Sequence, residues 1–171
     1  MPHRVIILSG AAACYGLYSP TAKAMGTSAL CVSGLIQVTA VTVPLDFGSL
    51  SACIGTAGTV EVNPQNGARG TSGCIASTAG TVARAFVRVR PNQLLKANKV
   101  KVSIVSNAVI SIGPYTMSVD QFDWAKKGSG RTFTVDGTGT YTRAVGAVLN
   151  VNASQVGGTY TGTATVTASC L

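Results

Sequence analysis

Thr159-Tyr-Thr-Gly-Thr-Ala-Thr-Val-Thr-Ala-Ser-Cys170 decides the fold class. In an extended chain Tyr160, Gly162, Ala164, Val166, Ala168 and Cys170 fall on one face, and Thr159, Thr161, Thr163, Thr165, Thr167 and Ser169 on the other. A sustained period of two marks an antiparallel strand with one face on a core and the other in water. Threonine suits the wet face because it is β-branched yet polar. Gly157-Gly158 supplies the turn that enters the strand.

The same pattern extends back along the chain. Residues 82–90 set Ala83, Ala85, Val87 and Val89 against Arg84, Phe86, Arg88 and Arg90, and Pro91 ends the run. Residues 99–105 set Val100, Val102 and Ile104 against Lys99, Lys101 and Ser103. Shorter apolar runs occupy 109–112 and 116–119, and strands are expected at 131–136 and 145–151 around Gly137-Thr138-Gly139. Residues 59–63 alternate into the turn cluster Asn63-Pro64-Gln65-Asn66-Gly67. The first strand is expected over 38–50; Pro44 cannot donate to a central ladder, so the segment lies at an edge or changes sheet there, and Gly48 marks a turn or bulge. Roughly seven to nine short strands with regular turn signals and no helical run predict a single-domain, all-β, antiparallel immunoglobulin-like β-sandwich.

Composition agrees. Of 171 residues only 11% are charged, 20 are glycine, and Glu61 is the one glutamate. Lys and Arg number 13 against 5 acids, a net charge of +8. Residues 1–24 have the layout of a secretory signal: Arg4, an apolar stretch over 5–17, and small residues in Ala22-Lys23-Ala24 flanking a cleavage point. The alternative is a short buried helix or strand of the mature fold. Removal would leave a domain over 25–171, with an N-terminal extension at 25–36, and would take away His3, the only histidine, and Cys14. Cys31, Cys53, Cys74 and Cys170 remain, an even number that in an exported protein reads as two disulfides. A hairpin about residues 63–67 brings Cys53 and Cys74 roughly opposite each other. That bridge closes a loop of about 20 residues, worth ~3 kcal/mol on the chain-entropy model. Cys31 and Cys170 are then left to pair within one chain or between two.

Pro44-Leu45-Asp46-Phe47-Gly48, Gly58-Thr-Val-Glu-Val62, Tyr115-Thr-Met-Ser-Val-Asp-Gln-Phe122, Gly146-Ala-Val-Leu-Asn-Val151 and Gly158-Thr-Tyr-Thr-Gly-Thr-Ala-Thr-Val-Thr167 occur in that order. This order resembles a bacterial family of uncharacterised exported β-domains related to spore coat protein U and to chaperone–usher fimbrial subunits. The likeness covers about residues 37 to 169. It implies a pilin-type sandwich completed by a strand from elsewhere: first from a periplasmic chaperone at an outer-membrane usher, then from the next subunit. Main-chain bonds hold such a donor and alternate side chains fill pockets.

The candidate donor strand is Leu30, Val32, Gly34, Ile36 and Val38, although these residues read equally as the first strand of the chain's own sheet. The candidate acceptor strand is Tyr160, Gly162, Ala164, Val166 and Ala168. The expected role is a cell-surface structural subunit, of fimbria or coat type, partnered by copies of itself or related subunits. The alternative is a monomeric secreted module whose basic patch, Arg84, Arg88, Arg90, Lys99 and Lys101, meets an anionic glycan or envelope surface. Phe86 and Trp124 could add stacking to that patch. No specific nucleic-acid partner is expected, since charge alone carries no sequence information.

Catalysis is not expected. Without His3 no histidine remains, and the acids Asp46, Glu61, Asp120, Asp123 and Asp136 form no nucleophile–base pair. No cofactor or metal site is read from the cysteine spacing or from Asp120 and Asp123.

Overall fold

The structure is a computed structural model that describes residues 3–7, 22–23, 36–39, 43–52, 55–77, 80–91, 99–104, 107–125, 132–136 and 140–170. Among these residues all regular structure is strand. The order is β1 (His3–Ile7), β2 (Ala22–Lys23), β3 (Ile36–Thr39), β4 (Leu45–Ala52), β5 (Gly58–Val62), β6 (Arg69–Gly73), β7 (Ile75–Ser77) and β8 (Ala85–Pro91). It continues with β9 (Lys99–Ile104), β10 (Ala108–Ile112), β11 (Tyr115–Trp124), β12 (Thr132–Asp136), β13 (Tyr141–Val151), β14 (Thr159–Thr163) and β15 (Val166–Cys170).

The long strand β13 organises the architecture. Its first half, Tyr141 to Val145, pairs with β8, and its second half, Ala147 to Val151, pairs with β5. β11 runs along its other edge. The change of partner falls at Gly146, where the chain leaving β5 crosses. A Cβ there would run into the Val62 carbonyl oxygen and stand 2.7 Å from Pro64, so only glycine fits. The Asn63–Gly67 turn that makes this crossing is locally fixed: Asn63 Oδ1 accepts from Gln65 N–H at 2.8 Å, and Gly67 N–H donates to the Asn63 carbonyl at 2.8 Å.

One sheet path runs β2-β3-β8-β13-β11-β10-β14-β1-β4-β7, and β12-β9-β15 form a separate three-stranded sheet. A backbone bridge between Asp46 and Ala83 (N···O 2.8 and 2.9 Å) returns β4 to the segment entering β8. The large sheet thus curls onto itself. Val102 and Ile104 of β9 and Val166 of β15 join the same apolar cluster as Phe47, Ile110, Leu149 and Tyr160. The result is an all-β, sandwich-like domain with antiparallel ladders; among the described strands β1 with β14 is the one parallel pair.

Three expectations change. The segment expected as one strand over 38–50 is two: β3 pairs with β8, and β4, on the far side of Pro44, lies between β1 and β7. The terminal Thr-rich run is likewise two strands. β14 pairs with β10 and β1, whereas β15 pairs with β9 in the other sheet. Val166, where β15 begins, is buried in the same apolar cluster as Tyr160 of β14, so both sheets face one core there. Trp124 is fully buried and packs in the core, which removes it from any surface stacking role.

Gly146 supplies a direct stability test. Gly146→Ala should lower unfolding free energy by about 1–3 kcal/mol through overpacking. Gly70→Ala, whose Cβ would meet open space, should stay within about 0.5 kcal/mol. Urea midpoints of the two variants measure the difference.

Candidate functional site

The most unusual feature of the sheet is the slot between β4 and β14, which β1 fills. β1 pairs with β14 from Arg4↔Thr159 to Ile7↔Gly162 and with β4 from His3↔Leu50 to Ile7↔Leu45. Without it, neither facing edge of β4 and β14 would have a ladder partner. The strands around the slot carry an apolar floor of core residues: with β1 seated, Leu45, Phe47 and Leu50 of β4, Tyr160 of β14 and Ile110 of neighbouring β10 are all at most 2% exposed and belong to one cluster.

Each wall is held independently of the occupant. On β14, the Tyr160 hydroxyl donates to the Val156 carbonyl and accepts from Gln155 Nε2, both at 2.7 Å. Asn152 Nδ2 continues the network to Gln155 Oε1 and to the Thr116 carbonyl, both at 3.0 Å. This polar set lets a buried tyrosine keep its hydroxyl satisfied while its ring lies on the core.

On β4, the register against β1 skips Phe47: Val5 faces Gly48 and Ile6 faces Asp46. The bulge is built by three residues. Gly48 takes φ +75°, Asp46 Oδ1 accepts the Gly48 N–H at 2.8 Å, and Arg69 Nη1 donates to the Phe47 and Ser49 carbonyls, each at 3.1 Å. A Cβ at Gly48 would stand 2.6 Å from Arg69 Nη1. The Pro44-Leu45-Asp46-Phe47-Gly48 motif is therefore a bulge that shapes one wall of the slot. Arg69 escaped the sequence reading because its partners are carbonyls some twenty residues away, which no local pattern reveals.

The structure places the other expected residues as follows. Of the candidate acceptor strand, Tyr160 and Gly162 lie in β14 on the slot, Ala164 lies between the strands, and Val166 and Ala168 lie in β15. Of the candidate donor strand, Ile36 and Val38 lie in β3 opposite Pro91 and Val89 of β8, while Leu30, Val32 and Gly34 lie outside the described residues. Arg88 and Arg90 are exposed on the outer face of β8. Arg84 instead braces the Asn63–Gly67 turn. It is half-buried, donates from Nη1 to the Pro64 and Gln65 carbonyls, and stands 5.2 Å over the Phe86 ring. Lys99 and Lys101 belong to β9 in the separate sheet.

Cys74 is disulfide-bonded. The β4–β7 ladder ends at Ala52↔Ile75; Cys53 and Cys31 lie outside the described residues. Cys170 ends β15 opposite Val100.

Residues 36–169 match the family described as a domain of unknown function, DUF4402. The chain belongs to the DUF4402 family. No curated protein and no solved structure matches it. The DUF4402 domain begins with β3 and contains both walls of the slot, β4 and β14, whereas the slot's occupant β1 lies outside it.

Two measurements check this geometry. Arg69→Ala removes a charged donor from two carbonyls and should cost about 1.5–3 kcal/mol in urea unfolding. Non-reducing peptide mapping should recover Cys53 joined to Cys74, and recovery of Cys74 on any other cysteine would refute that pairing.

Proposed function

We propose that this DUF4402 chain is an exported, cell-surface structural subunit that polymerises by β-strand complementation. One observation carries the reading: the domain supplies two walls of a strand-wide slot, and the strand filling it comes from residues 3–7, within the segment read from sequence as a removable leader. Loss of that leader leaves facing unpaired edges on β4 and β14 above an apolar floor. Leaving each large floor side chain uncovered costs about 1.5–3 kcal/mol, and open edges recruit strands from other chains.

The donor in this reading is the segment before β3 in another copy, where Leu30, Val32 and Gly34 alternate, since Ile36 and Val38 are already paired with β8. A periplasmic chaperone would fill the slot first and an outer-membrane usher would assemble the subunits, as the resemblance to fimbrial subunits and spore coat protein U implies. The reading requires no catalytic group and no cofactor. Cys31 lies in the donor segment, so a bridge to Cys170 of a neighbouring copy would lock the polymer covalently.

The test uses protein released from its native envelope. Intact mass should place the N-terminus at Met25, and light scattering should show multimers that a synthetic peptide of residues 25–38 dissociates or blocks. A monomer that still begins at Met1 would contradict the reading.

A second reading rests on Arg88 and Arg90, both exposed on one face of β8. A self-complete monomer could present this face to an anionic glycan. Changing both to Ser should then lower retention on a dextran sulfate column, with the loss largest at low salt. Unchanged retention removes this reading.

A further inference from the structure

We infer that β1 is an internal plug: while residues 1–24 remain attached, residues 3–7 occupy the assembly slot, and removal of that segment is the switch that permits polymerisation. This rests on the strand-complementation reading and adds its regulation.

The geometry supports a plug in three ways. First, β1 occupies both edges at once, so no other strand can enter while it is seated. Second, its ladder is short, five positions on β4 and four on β14, and its register is interrupted by the β4 bulge between Val5 and Ile6. It is a small element to release. Third, the walls have anchorages that do not pass through β1. The Asp46–Ala83 bridge and the Arg69 bonds hold β4, while β10 and the Tyr160–Gln155–Asn152 network hold β14. Removal of β1 therefore empties a preformed slot without dismantling it.

Covalent attachment makes the plug effective. A strand tethered to its own slot competes at an effective concentration on the order of millimolar, so at micromolar chain it should slow capture of another copy's strand by ~100-fold or more. The switch is hydrolysis. An envelope endopeptidase adds water across the amide bond between Ala24 and Met25, leaving a carboxylate on the departing segment and a free amine on Met25. The tether is then lost, and β1 can leave by dilution.

The full chain, refolded with a specific protease site inserted between Ala24 and Met25, tests this. Light scattering follows polymerisation before and after cutting, with and without excess peptide of residues 1–10. The plug predicts a monomer before cutting, at least about tenfold faster polymerisation afterwards, and suppression by the added peptide. Equal polymerisation of cut and uncut chain would overturn the plug and leave the subunit reading standing. Polymerisation of the cut chain that ignores the peptide would overturn the plug alone. Absence of polymerisation in both would overturn both readings.

Discussion

The ladder that β1 makes with β4 and β14 closes the large sheet. β8, β13, β11, β10, β14, β1 and β4 follow one another, and the Asp46–Ala83 bridge completes the circuit back to the chain entering β8. Every other member of that circuit lies within the DUF4402 domain; β1 alone stands outside it. A closed circuit has no edges in its path, whereas one missing member exposes two edges and an apolar floor together. The thermodynamic question for this protein is therefore which strand completes the circuit.

The residues flanking β1 carry bonds that do not pass through it. All six residues from Leu45 to Leu50 are buried, including Asp46 and Ser49, so β4 is enclosed on both faces. Buried polar atoms are tolerated only when bonded, and Asp46 meets that need through the Gly48 N–H. Arg69 binds carbonyls of β4 from β6, which ties the bulge to the hairpin formed by β5 and β6. On the opposite wall Tyr160 combines a core ring with a fully engaged hydroxyl. Sheet, bulge and network thus brace two antiparallel strands, β4 and β14, on either side of β1.

Much of the fold was legible because period-two alternation reports burial directly. Val100, Val102 and Ile104, and likewise Tyr160 and Gly162, announced their strands, and β9 and β14 formed there. What alternation could not report was partnership. It gave no sign that β14 and β15 join different sheets, or that β13 divides its pairing at Gly146, because alternation reports burial and not the neighbour in the ladder. β4 was legible in part: Gly48 marked a turn or bulge, but enclosure on both faces erases alternation, so the burial of Asp46 and Ser49 left no pattern to read. The candidate site was half legible. Tyr160 and Gly162 were read as part of one edge strand and lie in β14 beside β1, but the opposite wall depended on Arg69 and Ala83, which reach β4 only through tertiary contact. Arg84 looked like part of a basic patch because sequence shows its charge and not the turn carbonyls that engage it.

Amide hydrogen exchange at residues 45–50 and 159–162 tests the central claim most directly, since protection there reports whether the slot is filled. In chain lacking residues 1–24 and held as a monomer by dilution, these amides should exchange rapidly while those of β13 stay protected. Their protection should return when the chain polymerises. Full protection of both edges in a monomer without residues 1–24 would show that the domain closes its own sheet and would contradict the account.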